Sequence, residues 1–208
     1  MKIKTILFLI GIRKEVHGSI PNDNNTSYII CPNHSSYLDI FLLPSMLPQH
    51  PFSFLGKAEI LKYPIVRTYF KSLNIPVYRK DKSRAGQALV QAQKAMQDGW
   101  SIVIFPEGTR STSRKMSRFK HGVSLLALDR KVPVVPVYLT GLAKLRPKGT
   151  REIFPGPASA NIQPPIYFEE GTSVEDATRQ IFDALNTVHQ RVIEHGDEAG
   201  RWDWTPDQ

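Results

Sequence analysis

The sequence predicts an α/β fold: a single-domain sandwich with a mixed, largely parallel central sheet flanked by helices. Three observations carry this. Apolar runs of strand length, Y-I-I-C, S-I-V-I-F and P-V-V-P-V-Y-L, alternate with helix-patterned stretches, as layered α/β chains require. The S-I-V-I-F run stops at P-E-G, so polar groups arrive where a strand ends, a usual place for an α/β site. With 208 residues, 41% of them apolar, the chain can bury one substantial core and is too apolar to stay disordered.

The elements follow in order. The opening M-K-I-K-T-I-L-F-L-I-G-I-R holds about eight apolar-biased positions before Arg13, whereas a membrane-spanning helix needs about 20. It reads as a retained N-terminal segment, residues 1–13, lying in a membrane interface or buried locally, with no small-residue cleavage pattern behind it. A polar loop, S-I-P-N-D-N-N-T-S, leads into the strand Y-I-I-C, whose end delivers N-H-S-S-Y-L-D. A short helix over 40–47 follows, stopped near Pro48, with Ser35 or Ser36 as its cap. The stretch from Lys57 to Arg84, with 8 basic residues against 2 acidic ones, reads as a basic, partly amphipathic surface. Next come a strand in N-I-P-V-Y-R and a helix through R-A-G-Q-A-L-V-Q-A-Q-K-A-M-Q whose core face is Leu89, Ala92 and Met96.

The buried strand Ile102 to Phe105 is followed by a helix over 122–129 and the strand P-V-V-P-V-Y-L. R-E-I-F-P-G-P and P-P-I-Y-F read as edge or peripheral strands, because proline cannot donate to a central ladder. Thr172 and Glu175 are spaced as a capping box for a long helix with Val174, Ala177, Ile181, Leu185, Val188 and Val192 on one face. Residues 196–208 read as a polar tail carrying Trp202 and Trp204, so that one domain spans 1–208.

Charge is unevenly spread. Residues 1–168 hold 24 Lys or Arg against 9 Asp or Glu, and residues 169–208 hold 3 against 10, so a basic body lies behind the formal +8. Such a body attracts nucleic acid, an anionic bilayer or phosphorylated small molecules. Nucleic acid is disfavoured, since no aromatic RNA-binding motif and no zinc-finger spacing occurs. Cys31 is the only cysteine, which excludes an intrachain disulfide, offers no metal-ligand cluster and fits core packing in a reducing compartment.

Two polar loops carry chemistry. In N-H-S-S-Y-L-D, His34 can take up a proton near neutral pH and Asp39 can orient the ring and stabilise its cation. Five positions on a regular helix would separate the two by about 140°, so they meet only if a turn precedes the helix. The alternative is local capping by Asn33, Ser35 or Ser36, with Asp39 as a first-turn charge. In F-P-E-G-T-R, Arg110 offers an anion-binding guanidinium, Glu107 orients it or a substrate hydroxyl, and Gly108 permits close backbone approach. The alternative there is a glycine turn with an exposed salt bridge. Arg79, just past N-I-P-V-Y, is a further anion contact or a surface charge.

Taken together and in this order, the blocks resemble the glycerolipid acyltransferases, especially the bacterial 1-acylglycerol-3-phosphate acyltransferases. N-H-S-S-Y-L-D is similar to the family's His-x4-Asp block, V-Y-R to its arginine block, F-P-E-G-T-R-S to its glutamate-glycine block and V-P-V-V-P-V to its apolar proline block. The block before Arg79 departs from the frequent glycine-containing pattern, with Asn74 and Pro76. The resemblance implies His34 as general base supported by Asp39, with Arg79, Glu107, Gly108 and Arg110 placing a glycerophosphate acceptor, and Pro136 with its valine neighbours shaping a donor-side pocket. It implies transfer of a fatty acyl chain from acyl-CoA or acyl-ACP, as substrate, to a lysophospholipid hydroxyl, most simply that of 1-acylglycerol 3-phosphate to give phosphatidic acid. No metal or other cofactor is implied. The implied partners are the lysophospholipid, an anionic membrane surface and acyl carrier protein, with the protein peripheral or interfacial on the cytoplasmic side of a membrane. Acylation of another lysolipid or lipid-like glycan, and a non-catalytic lipid-binding module, are the alternatives.

Overall fold

A computed structural model describes residues 10–21, 26–47, 50–59, 67, 74–78, 82–111, 115–147, 149–150, 152–201 and 203. Strands are β1 (Ile12–His17), β2 (Ile29–Pro32), β3 (Phe52–Lys57), β4 (Asn74–Val77), β5 (Ser101–Val103), β6 (Val134–Thr140) and β7 (Gly156–Ile162). Helices are α1 (Asp39–Met46), α2 (Lys82–Gln97), α3 (Gly122–Arg130), α4 (Leu142–Leu145) and α5 (Val174–His195), with a 3-10 turn at Asp197–Gly200. The strands form one sheet in the order β1-β7-β6-β2-β5-β3-β4. All neighbouring pairs are parallel except β6 and β7. This is the mixed, largely parallel sheet expected.

The central strands β2, β5 and β6 are buried along their whole length, which is why they read as unbroken apolar runs rather than alternating ones. Successive side chains still point to opposite faces. Ile30, Val103, Val135 and Val137 pack with Leu42 and Leu43 of α1 and Leu142 of α4. Ile29, Ile102 and Val134 face Ala92 of α2, Leu126 of α3 and Ile181 and Leu185 of α5. Each fully buried aliphatic side chain contributes about 1.5–3 kcal/mol of transfer free energy. Cys31 lies in the second layer as a buried free thiol.

Several local expectations need correction. In α2 the buried face is Ala88, Ala92 and Met96, while Leu89 is exposed; it sits about 100° around the helix from Ala88. The cap of α5 is Ser173 rather than Thr172, its hydroxyl accepting from Asp176 N–H at 3.0 Å. Of R-E-I-F-P-G-P only Gly156 and Pro157 pair, as the first residues of β7 against β1, and P-P-I-Y-F contributes only an isolated bridge, Ile166 with Val134. The strands F-S-F-L-G-K and I-R-K-E-V-H were not expected. Of the N-terminal segment 1–13, residues 1–9 lie outside the described residues, as do Trp202 and Trp204, while Ile12 and Arg13 open β1.

Because β6, β2 and β5 are adjacent and parallel, their carboxyl ends deliver three loops to one place: N-H-S-S-Y-L-D, F-P-E-G-T-R, and the turn into α4.

Candidate active site

His34 and Asp39 meet. The turn after β2 brings His34 Nδ1 to 2.7 Å from Asp39 Oδ2, and the same oxygen accepts from the backbone N–H groups of Ser35 at 2.8 Å and Ser36 at 3.0 Å. The Ser36 hydroxyl accepts from Leu38 N–H at 3.3 Å just ahead of α1, Ser35 makes no such bond among the described residues, and the carboxylate of the helix's first residue reaches back and fixes the same turn. A carboxylate only accepts, so Nδ1 carries the proton and Nε2 is the basic nitrogen. Nε2 has no hydrogen-bond partner among the described residues. The ring stacks on Phe105, with centroids 4.2 Å apart, so the loop that follows β5 supplies a wall that limits its rotation.

Asn33 anchors this turn to the sheet. Its side-chain amide donates to Leu139 C=O at 3.1 Å, and its carbonyl oxygen accepts from Leu139 N–H at 2.6 Å. The side chain thereby completes the β6 ladder where β2 has already ended, which local capping did not foretell.

Glu107 is only 3% exposed, and its Oε1 accepts from the His34 backbone N–H at 3.0 Å. Among the described residues it pairs with no guanidinium. Through Oε1 it holds the base-bearing turn, while its buried Oε2 has no hydrogen-bond partner among the described residues. Burial raises its carboxyl above the ordinary value, while hydrogen bonds from the His34 backbone and from the backbone and hydroxyl of Ser117 act in the opposite direction. Gly108 follows at φ +66°, with the Lys120 side chain about 3 Å from where a Cβ would stand, so glycine closes this turn. Arg110 lies with its guanidinium carbon 3.5 Å from the Tyr37 ring centroid, and Arg146, at the end of α4, stands 4.8 Å from the same centroid. Arg79 lies outside the described residues. Val135, Pro136 and Val137 are buried in β6.

His34, Glu107 and Ser111 open on a cavity of about 240 Å³ whose far wall is made by Tyr138, Lys144 and His189. The Tyr138 hydroxyl lies 2.6 Å from His189 Nδ1, and Lys144 donates to Asp197 at 2.9 Å. Burial, with smaller contributions from Asp197 and Glu107, raises the Tyr138 phenol, so it stays protonated at neutral pH. These residues escaped the sequence reading because they come from β6, α4, α5 and the 3-10 turn, with no shared motif. Among the described residues no cluster of three His, Cys, Asp or Glu side chains is placed to hold a metal ion, and no helix is long and apolar enough to cross a membrane.

The raised Glu107 pKa gives a stability prediction with a fixed sign. As pH rises, the unfolded chain releases this proton first and the native state then has to hold a buried charge, so stability is lost as pH passes through the raised native value. Glu107→Gln keeps an oxygen for His34 N–H and removes the charge. Denaturant unfolding across pH is expected to show the variant gaining on wild type from the ordinary carboxylate range upward, with the gap closing in acid. A gap independent of pH would contradict this origin.

Comparison with known proteins agrees with the geometry. The family profile described as Acyltransferase matches residues 13–140. A 1-acyl-sn-glycerol-3-phosphate acyltransferase of Limnanthes alba is 31% identical over 182 residues, 86% of this chain and 64% of that protein. The alpha form of the same enzyme from Homo sapiens is 28% identical over 207 residues, 94% of this chain and 70% of that protein. The crystal structure of the 1-acyl-sn-glycerophosphate (LPA) acyltransferase PlsC from Thermotoga maritima superposes with a TM-score of 0.78 at 28% identity, covering 92% of this chain and 77% of that one. The chain thus spans just under two thirds of the Limnanthes protein's length. With His34 and Asp39 in contact beside the Glu107 loop, and the family profile matched over more than half of its residues, the chain belongs to the acyltransferase family.

Proposed function

We propose that the protein transfers a fatty acyl chain from an acyl thioester, acyl-CoA or acyl-ACP, to the free hydroxyl of 1-acylglycerol 3-phosphate, giving phosphatidic acid. The observation that carries this is the 2.7 Å contact between His34 Nδ1 and Asp39, which leaves Nε2 as a base on the cavity. His34 Nε2 takes the acceptor hydroxyl proton as that oxygen attacks the thioester carbonyl. The resulting tetrahedral intermediate expels thiolate, which recovers the proton from the imidazolium. An ester forms, a thiol leaves, and no enzyme-bound acyl group intervenes. Asp39 stabilises the imidazolium in a buried site where its charge is little screened. Glu107 fixes the backbone of the base, and Arg110 with Arg79 supplies cations for the acceptor's phosphate. Supporting this acceptor are the names of the relatives above and the basic excess of the body.

The same charge, with the apolar stretch ahead of Arg13, supports peripheral attachment to the cytoplasmic face of an anionic membrane. One assay tests both. Purified protein is given labelled acyl-CoA or acyl-ACP and a matched panel of lysolipids in anionic or zwitterionic vesicles, at low and high salt. The expected result is phosphatidic acid formed preferentially on anionic vesicles, declining with salt and absent in His34→Ala. Lipid binding without ester would instead indicate a binding module, and preference for another lysolipid would reassign the acceptor.

A further inference from the structure

Two guanidiniums lie over one exposed ring. Tyr37, 42% exposed, sits within the His34 turn, with the Arg110 and Arg146 guanidinium carbons 3.5 and 4.8 Å from its centroid. That places two like charges within about a Debye length of each other at physiological ionic strength. Among the described residues neither enters a salt bridge. Each gains about 0.5–1 kcal/mol from an exposed ring, and a ring face supplies no neutralising charge, so both guanidiniums keep their capacity to pair with an anion.

Arg146 is held in place from both sides. Gly141 turns the chain out of β6 into α4, whose last turn ends with Arg146 N–H donating to Leu142 C=O at 3.1 Å. The Arg146 carbonyl in turn lies 3.4 Å from the Ser36 hydroxyl. The residue is thus registered against the turn that carries His34, although it stands beyond the profile-matched residues 13–140.

We infer that Arg146, together with Arg110 on the Tyr37 platform, reads the charge state of the acceptor headgroup and selects a phosphate monoester over a phosphodiester. This rests on the lysophospholipid acceptor proposed above. A monoester carries about −1.5 to −2 charges at neutral pH with three terminal oxygens, enough for two guanidinium forks. A diester carries one charge and two free oxygens, so the second guanidinium would stay uncompensated. Arg110 alone attracts either group; adding Arg146 creates the difference between them.

Calorimetric binding tests this without any acyl donor. The ligands are a soluble short-chain 1-acylglycerol 3-phosphate and its phosphocholine diester, titrated into wild type, Arg146→Gln and Arg146→Lys, each checked for folding by thermal unfolding. Wild type is expected to prefer the monoester. Arg146→Gln should weaken the monoester about 10- to 100-fold, the range of a charge-assisted hydrogen bond, and leave the diester within about two-fold. Arg146→Lys should recover part of the loss. Equal weakening of both ligands in either variant, unchanged monoester affinity, or no preference in wild type would overturn the assignment. Because no turnover is read, wild type that binds the monoester yet forms no ester would sink the transfer reaction and leave the headgroup assignment standing.

Discussion

Asp39→Asn is expected to fold normally and to lose about 10²- to 10⁴-fold in turnover at saturating substrates, the range for a misplaced general base. Asp39 Oδ2 now serves three donors, His34 Nδ1 and the Ser35 and Ser36 N–H groups, while its buried Oδ1 has no partner. Asparagine can keep its oxygen toward the two backbone donors and place the amide nitrogen at Oδ1, so the turn survives. Its dipole then replaces a full negative charge at 2.7 Å from the ring, and the imidazolium formed during proton transfer loses its counter-ion. Should the amide flip, its N–H₂ faces Nδ1 and moves the ring proton to Nε2, which removes the base. Both orientations lower kcat. Steady-state kinetics with saturating thioester and acceptor is the measurement, and wild-type turnover in the variant would contradict the role.

Gly141→Ala is expected to be the most destabilising glycine substitution among the described glycines. Its backbone sits at φ +78°, ψ −31°, and an added Cβ would stand 2.3 Å from the Pro157 carbonyl oxygen. That atom belongs to β7, paired with β6 beside it, so neither partner can swing away as a flexible side chain would. Strain of about 1–3 kcal/mol from the backbone conformation adds to the clash. A total above about 3 kcal/mol corresponds to a fall in Tm of at least about 6–12 °C for a chain of this size. Gly171→Ala is the control: φ is +84° there, but nothing lies within 4 Å of the added carbon, so only the backbone strain should appear. Equal shifts in the two variants would show that the Pro157 contact is relieved by movement of the strands.

The central strands were legible because burial on both faces left a plain chemical trace: Ile29, Ile30, Ile102, Val103 and Val134 to Val137 form runs with no charged residue. β1 left none, since at the sheet's edge only its Ile12 is buried and Arg13, Lys14 and Glu15 follow in a row, a normal protection for an edge. β7 buries Ala158 and Ala160, side chains too small to give a strand signal. In the site, spacing and residue type foretold that His34 and Asp39 can meet, because both lie in one short turn. The Asn33 bond to Leu139, the Glu107 bond to His34 and the Arg146 approach to Tyr37 span distant parts of the sequence and depend on strand order, so no local pattern encodes them.

Strand order also governs the timing of assembly. β1 pairs with β7 along its whole length, from Ile12 against Gly156 to His17 against Asn161. During synthesis the first described strand therefore cannot pair with β7 until residues 156–162 have emerged, and a contact this distant in sequence forms late. For that interval the backbone donors and acceptors of β1 have no β7 to receive them, and a chaperone can cover them before the edge of the sheet exists.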